Sequence, residues 1–293
     1  MAGRVNHVLF FGLGFSARVL AARLHAGHWE ISGTSRSAAG VGEIELLGYR
    51  GLRFDGRTSL AASAFEGVTH FVISVPPGET GDPVLNLHGR DFAARAPHIR
   101  WLAYLSTTGG YGNRGGDWVD EASPLSPATE RGRRRLAAER QWLAFHASHG
   151  LPVHIFRLAG IYGPGHNQLM PVAEGTARRI VKPGQVFSRI HVQDIATVLA
   201  ASMARPNPGA AYNVCDDVPC PPQEVIAYAA ELLGRQLPPE IPLDEAGLSP
   251  MARSFYAESK RVSNRRIKTE LGVRLAYPDF RAGLQALRKD FTP

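Results

Sequence analysis

An apolar run that breaks into a Gly-x-Gly-x-x-Ala turn, a strand-helix alternation kept up over the first 160 residues, and the loss of that alternation afterwards predict an α/β chain. The expected architecture is a doubly wound parallel sheet of the Rossmann type with a small C-terminal α/β lobe. The turn is the sharpest of these signals. Val8 to Phe11 reads as a buried strand, and Gly12-Leu13-Gly14-Phe15-Ser16-Ala17 follows at once. Gly12 permits the tight turn, Gly14 lets the backbone approach a pyrophosphate, and Ala17 allows close helix-strand packing. The helix that opens at Phe15 and Ser16 presents N–H groups and a dipole to an anion.

That helix runs through an alanine-rich segment with Val19, Leu20 and Leu24 on its apolar face, and Gly27 stops it. A second strand ends at Gly33-Thr34-Ser35-Arg36. This is where a carboxylate would bond a ribose 2′-hydroxyl and where an arginine accommodates a 2′-phosphate. With no carboxylate present, and with Thr34, Ser35 and Arg36 in place, NADP is the expected cofactor and NAD the alternative. Arg50 to Asp55 is a short third strand, after a helix-like stretch near Glu43 to Gly48, and Ala61 to Phe65 reads as helix. The strand from His70 ends in Ser74-Val75-Pro76-Pro77-Gly78, so Ser74, Val75 and Pro76 fall at the sheet edge that covers a nucleotide.

A helix over 84–96 leads to the strand Arg100 to Ser106, which opens into Thr107-Thr108-Gly109-Gly110-Tyr111-Gly112. Ser106 is expected beside the cofactor. A long helix follows the run Arg131-Gly132-Arg133-Arg134-Arg135, then a strand over Val153 to Leu158. Beyond it, Asp194 is placed to cap an alanine-rich helix to Met203, Ala211 to Val214 is a strand, and Pro222 to Leu233 an amphipathic helix. The nucleotide domain is expected over 1–160, completed by 189–204 and 211–216. A substrate lobe takes 161–188 and 205–262, and a helical segment closes the chain over 263–293.

At 44% hydrophobic and 20% charged, the 293 residues have ordinary globular composition, enough for a nucleotide-binding domain plus a smaller lobe. No apolar run approaches the ~20 residues of a membrane span. The N-terminus passes straight into the first strand without room for a signal peptide, so a cytoplasmic location is expected. Cys215 and Cys220 are too few for a disulfide framework or a zinc site, and no metal is expected. A net charge of +7 raises nucleic acid as a partner. The one dense basic run is followed by a helical pattern with Glu139 rather than a basic aromatic surface, so a solvated face or an anionic-ligand site is the better reading.

Taken together, Gly12-x-Gly14-x-x-Ala17, Leu105 to Gly112, Asp120-Glu121-x-x-Pro124, Arg157-Leu158-Ala159-Gly160-Ile161-Tyr162-Gly163-Pro164-Gly165 and Ile190-His191-Val192-Gln193-Asp194-Ile195-Ala196 resemble, in order and spacing, the extended short-chain dehydrogenases/reductases. These are the NAD-dependent epimerases and dehydratases of nucleotide sugars. The resemblance covers nearly the whole chain and implies a small-molecule substrate, of which a nucleotide sugar is one class. It also implies a homodimer through helices at 84–96 and 133–149. One part departs. The family's Tyr-x-x-x-Lys pair, in which the Lys lowers the Tyr pKa for proton transfer, falls on Arg131 and Arg135. Arginine stays charged and shuttles no proton. The third member of the triad falls on Thr107, and the whole pattern is similar to an atypical, YeeZ-like subgroup.

Two functions remain open on this reading. In the first, the chain is an NADP-dependent oxidoreductase or epimerase of altered chemistry, with Thr107, Tyr111 and Arg135 as candidate catalytic residues, Tyr162 and Glu130 as further groups, and Arg135 favouring phenolate in a nearby tyrosine. In the second, it binds the nucleotide without turnover, as a regulator or partner-binding module. His191 is expected to brace the lobe, while His166 and Asn167 are candidates for substrate contact.

Overall fold

Seven strands build one parallel sheet in the computed structural model, which describes residues 5–291. They are β1 (His7–Phe11), β2 (Glu30–Ser35), β3 (Arg50–Arg53), β4 (His70–Ile73), β5 (Trp101–Thr107), β6 (Val153–Leu158) and β7 (Ala211–Val214). From edge to edge their order is β3-β2-β1-β4-β5-β6-β7. Every residue of β1, β4 and β6 is buried, as expected of strands covered on both faces. The order reverses between β1 and β4, so the chain leaves these two neighbours in opposite directions and opens a crevice at their carboxyl ends.

The flanking helices are α1 (Phe15–Ala26), α2 (Ala38–Leu46), α3 (Pro83–Arg95), α4 (Glu130–His149) and α5 (Val192–Ala204). Ser37 caps α2 by accepting from the Gly40 amide, and Asp82 caps α3 by accepting from Val84 and Leu85, with Pro83 in the first turn. On one side of the sheet an aromatic core interlocks edge to face: Phe11 with Phe54 at 5.2 Å, Phe71 with Phe92 at 5.1 Å, Phe92 with Trp142 at 5.5 Å. Three local expectations shift. The third strand ends at Arg53 because Asp55 turns the chain, accepting from the amides of Arg57 and Thr58. The stretch at 61–65 is a single 3₁₀ turn, Ala62–Phe65. The helix sought near Glu43 starts earlier, at the Ser37 cap.

The chain divides into two units, one of residues 1–107, 133–157 and 195–212, the other of 108–132, 158–194 and 213–293. The second unit contains three short parallel pairs: Gly160–Tyr162 with Arg189–His191, Arg179–Val181 with Glu240–Pro242, and Trp118–Val119 with Arg261–Val262. Its own core gathers Leu169, Val172, Val225, Ile226, Phe280 and Leu284. Residues 108–132 group with this unit because its backbone holds them. The amides of Arg114 and Gly116 donate to the Ser259 carbonyl, and Lys260 Nζ reaches the Gly112 carbonyl at 2.9 Å. Asp194 does not cap the helix expected of it. That helix already begins at Val192, and the Asp194 carboxylate accepts instead from the amides of Ala276 (2.8 Å) and Tyr277 (2.9 Å). Among the described residues no helix is long and apolar enough to cross a membrane.

Candidate functional site

The turn after β1 is built by two side chains, Thr34 of β2 and Ser74 just after β4. Gly12 has φ +89° and its N–H donates to Thr34 Oγ1 at 2.8 Å, while the Leu13 amide donates to the Thr34 carbonyl at 3.1 Å. Ser74, at the end of β4, donates to the Gly12 carbonyl at 2.6 Å. A Cβ on Gly12 would lie 2.6 Å from Ser74 Oγ, so conformation and space both require glycine there. A Cβ on Gly33 would sit 2.9 Å from the Leu13 side chain, the mark of a second close approach. Thr34 and Ser74 therefore shape the turn, and Thr34 is itself buried.

Gly14 is different. It stands as the extended N-cap of α1 at φ −88°, no side chain caps the helix, and a Cβ there would meet nothing within 4 Å. Open space in front of an uncapped helix N-terminus is what an anion needs, and Phe15 and Ser16 begin the helix at that point. Ser35 ends β2, in register with Arg53 of β3. Arg36 follows it, exposed and without a hydrogen bond or ion pair among the described residues. Val75 is half-buried and Pro76 exposed beyond β4. All eleven residues expected to hold the cofactor, from Gly12 to Ser106, belong to the first unit, as do Thr107 and Arg135.

At the end of β5, Ser106 donates to Glu139 Oε1 of α4. Arg157 of β6 grips the same carboxylate, Nη2 to Oε2 at 2.9 Å and Nε to Oε2 at 3.2 Å. All three are at least 94% buried, so a paired charge lies under the strand end. Neither Glu139 nor Arg157 stood out as a site residue in the sequence, because the contacts join strands and a helix far apart in the chain. Arg135, at the family's lysine position, donates to the Leu105 carbonyl at 2.9 Å and to Tyr104 Oη at 3.3 Å. The tyrosine it meets is thus Tyr104, a residue outside the expected set. Burial raises the Tyr104 pKa by more than the Arg135 guanidinium lowers it, so the phenol stays protonated.

Tyr111 belongs to the second unit, fully buried, with its hydroxyl donating to Asn213 Oδ1 at 2.7 Å. Tyr162 donates to the Asp279 carbonyl at 3.2 Å, and burial raises its pKa as well. Arg131, at the family's tyrosine position, lies over the Phe255 ring at 4.7 Å. His191 packs against Tyr162 and Tyr277, and its burial lowers its pKa to about 4. Asn167 ties its own loop, donating to the Gly163 carbonyl and accepting from the Leu169 amide.

Comparison with known proteins bears on the family and the fold. Residues 91–215 match the model of the NAD dependent epimerase/dehydratase family. The protein YeeZ of Escherichia coli (strain K12) is 28% identical over 292 residues, covering 94% of this chain and 97% of its own. The solved structure of a functionally unknown conserved protein from Silicibacter pomeroyi DSS is 56% identical, with a TM-score of 0.90 over 98% of this chain and 99% of that one. The dTDP-glucose 4,6-dehydratase of Bacillus anthracis str. Ames, solved in complex with NAD, shares the fold at 18% identity, with a TM-score of 0.77 over 97% and 96% of the two chains.

Proposed function

Because the chain belongs to the NAD-dependent epimerase/dehydratase family of extended short-chain dehydrogenases/reductases, yet carries arginines where that family's tyrosine and lysine stand, we propose that it is an NADP(H)-binding oxidoreductase whose reaction draws no proton from a tyrosine. The observation that carries this reading is the open face of Gly14 at an uncapped helix N-terminus, a cradle that a side chain would fill. Gly14, Phe15 and Ser16 would hold the pyrophosphate, and Ser35 and Arg36 the 2′-phosphate. Val75, Pro76 and Ser106 would line the rest. The bound cofactor supplies a hydride or an acceptor for one.

The protein's own contribution is positioning. Glu139, neutralised by Arg157, fixes Ser106 and with it the end of β5 that carries Thr107. Arg135 is tied to β5 and holds a fixed positive charge beside it. Such a charge stabilises developing negative charge without moving a proton. An acceptor protonated by solvent, or a product that needs no proton, suits this site.

NADPH oxidation across a panel of carbonyls and nucleotide sugars tests turnover, with tryptophan quenching as a separate measure of binding. Arg36→Glu is expected to weaken NADPH at least tenfold more than NADH. Equal losses for the two would overturn the 2′-phosphate assignment. The second reading, a binder without turnover, rests on the arginines at the tyrosine and lysine positions and on the engaged hydroxyls of Tyr111 and Tyr162. Tight NADPH binding with no oxidation across the whole panel decides for it.

A further inference from the structure

The second unit contains a cavity of about 320 Å³ lined by apolar groups, two arginines and the neutral polar side chains of Gln168 and Thr176. Pro171, Pro222, Val225, Ile226 and Tyr256 contribute apolar surface, and Arg178 and Arg189 positive charge. Each guanidinium is anchored by one nitrogen only. Arg189 Nη1 donates to the Phe187 carbonyl at 3.0 Å and the Cys220 carbonyl at 3.3 Å, and Arg178 Nη2 donates to the Ala246 carbonyl. The remaining N–H groups of both make no hydrogen bond to a described residue, and neither arginine forms an ion pair among them.

An arginine in a pocket wall normally finds its carboxylate within the protein. Here the acid beside Arg189 does not serve. Asp216 is 1% exposed, neither carboxyl oxygen has a hydrogen bond of good geometry, and burial raises its pKa to about 8 against the pull of Arg189. At neutral pH it is a neutral acid, so the positive charge of Arg189 is left for something else. Glu224, on the neighbouring helix Pro222–Leu233, is already turned toward Arg281 at 3.9 Å.

We propose that this cavity binds a compact organic acid, its carboxylate held by the forks of Arg178 and Arg189 and its apolar or aromatic body laid against Pro222, Val225, Ile226 and Tyr256. Guanidinium forks match a carboxylate bidentately. The volume lies at the lower end of the range for ligand pockets, which suits a small molecule better than a nucleotide sugar. As the substrate class of the oxidoreductase the assignment rests on the reading above; as a binding site within the second unit it does not.

The test is ligand-observed NMR on the full chain without nucleotide, using benzoate, phenylacetate, 3-phenylpropionate and trans-cinnamate, each against its neutral amide, with UDP-glucose as competitor. At least one acid should bind with a Kd below about 10 mM and at least tenfold more tightly than its amide. Arg189→Gln should abolish that preference. Because Arg189 also joins Phe187 to Cys220, Arg178→Gln and a cavity-filling Ile226→Trp serve as independent variants, each expected to cost at least fivefold in affinity. The proposal is overturned if none of the four acids binds, if acid and amide bind equally, if the variants leave affinity unchanged, or if UDP-glucose binds more tightly than any acid. NADPH quenching on the same samples stands apart, so loss of acid binding with NADPH binding intact leaves the cofactor reading in place.

Discussion

Gly12 and Gly14 are two residues apart and glycine for different reasons. Gly12 is glycine for its backbone, whose φ of +89° strains any other residue, and Ser74 Oγ stands 2.6 Å from where a Cβ would lie. Gly12→Ala is expected to cost ~1–3 kcal/mol from strain alone, seen as a melting temperature lower by several degrees. Gly14 has an ordinary φ and an empty front, so Gly14→Ala should fold and melt as the parent does while losing at least tenfold in NADPH affinity. A fall in melting temperature for Gly14→Ala equal to that of Gly12→Ala would show its role to be structural. The pattern Gly-x-Gly-x-x-Ala was legible in the sequence because a tight turn leaves so few residue choices. That Thr34 accepts from Gly12 was not, since it needs the register of β1 against β2.

At the scale of elements, α4 and the ends of β5 and β6 are joined by one buried carboxylate. Removing its charge takes from Arg157 the carboxylate it grips in a dry site, so Glu139→Gln is expected to cost ~3–5 kcal/mol. The double variant Glu139→Gln/Arg157→Met should recover a large part of that loss, and chemical denaturation of the single and double variants measures both. A double variant no more stable than Glu139→Gln would show that the cost does not come from the lost pairing of Arg157 with Glu139. The strands and helices themselves were readable in outline, since β1 and β4 are apolar runs behind a leading histidine and β6 is mostly apolar, broken by His154 and Arg157. The Ser106, Glu139 and Arg157 cluster was not, because no local pattern links residues 33 and 18 positions apart. Asp194 misled for the same reason: a helix-start residue by type, it is engaged by Ala276 and Tyr277, 82 and 83 positions away.

For the whole molecule, buried titratable groups set a pH window. His70, His154 and His191 are each held at a pKa of about 4 by burial, so folding favours their neutral form. Their share of stability is complete above ~6.5, the unfolded value, and is lost as pH falls toward 4. Asp216 acts in the opposite sense. Its pKa of about 8 means that folding favours the protonated acid, so stability is lost as pH rises from about 4 through 8. Asp216→Asn should therefore be more stable than the parent at pH 9, by roughly 2 to 5 kcal/mol, and nearly equal to it at pH 4. Parallel stability curves for the two proteins across that range would refute the assignment of the alkaline limb to Asp216. Composition spoke at this scale only to globular class and charge, since burial of single histidines and one aspartate depends on the finished core.

The chain passes from one unit to the other five times, after Thr107, Gly132, Arg157, Asp194 and Tyr212. No single cut therefore yields either unit as a contiguous fragment, and the stretch matched by the family model, 91–215, takes in pieces of both. Gene truncation and domain exchange are thus poor tools here. A transplant that carries the cavity of the second unit into another protein has to bring two separate peptides, from 158–194 and 213–293, and the rest of the unit adds a third.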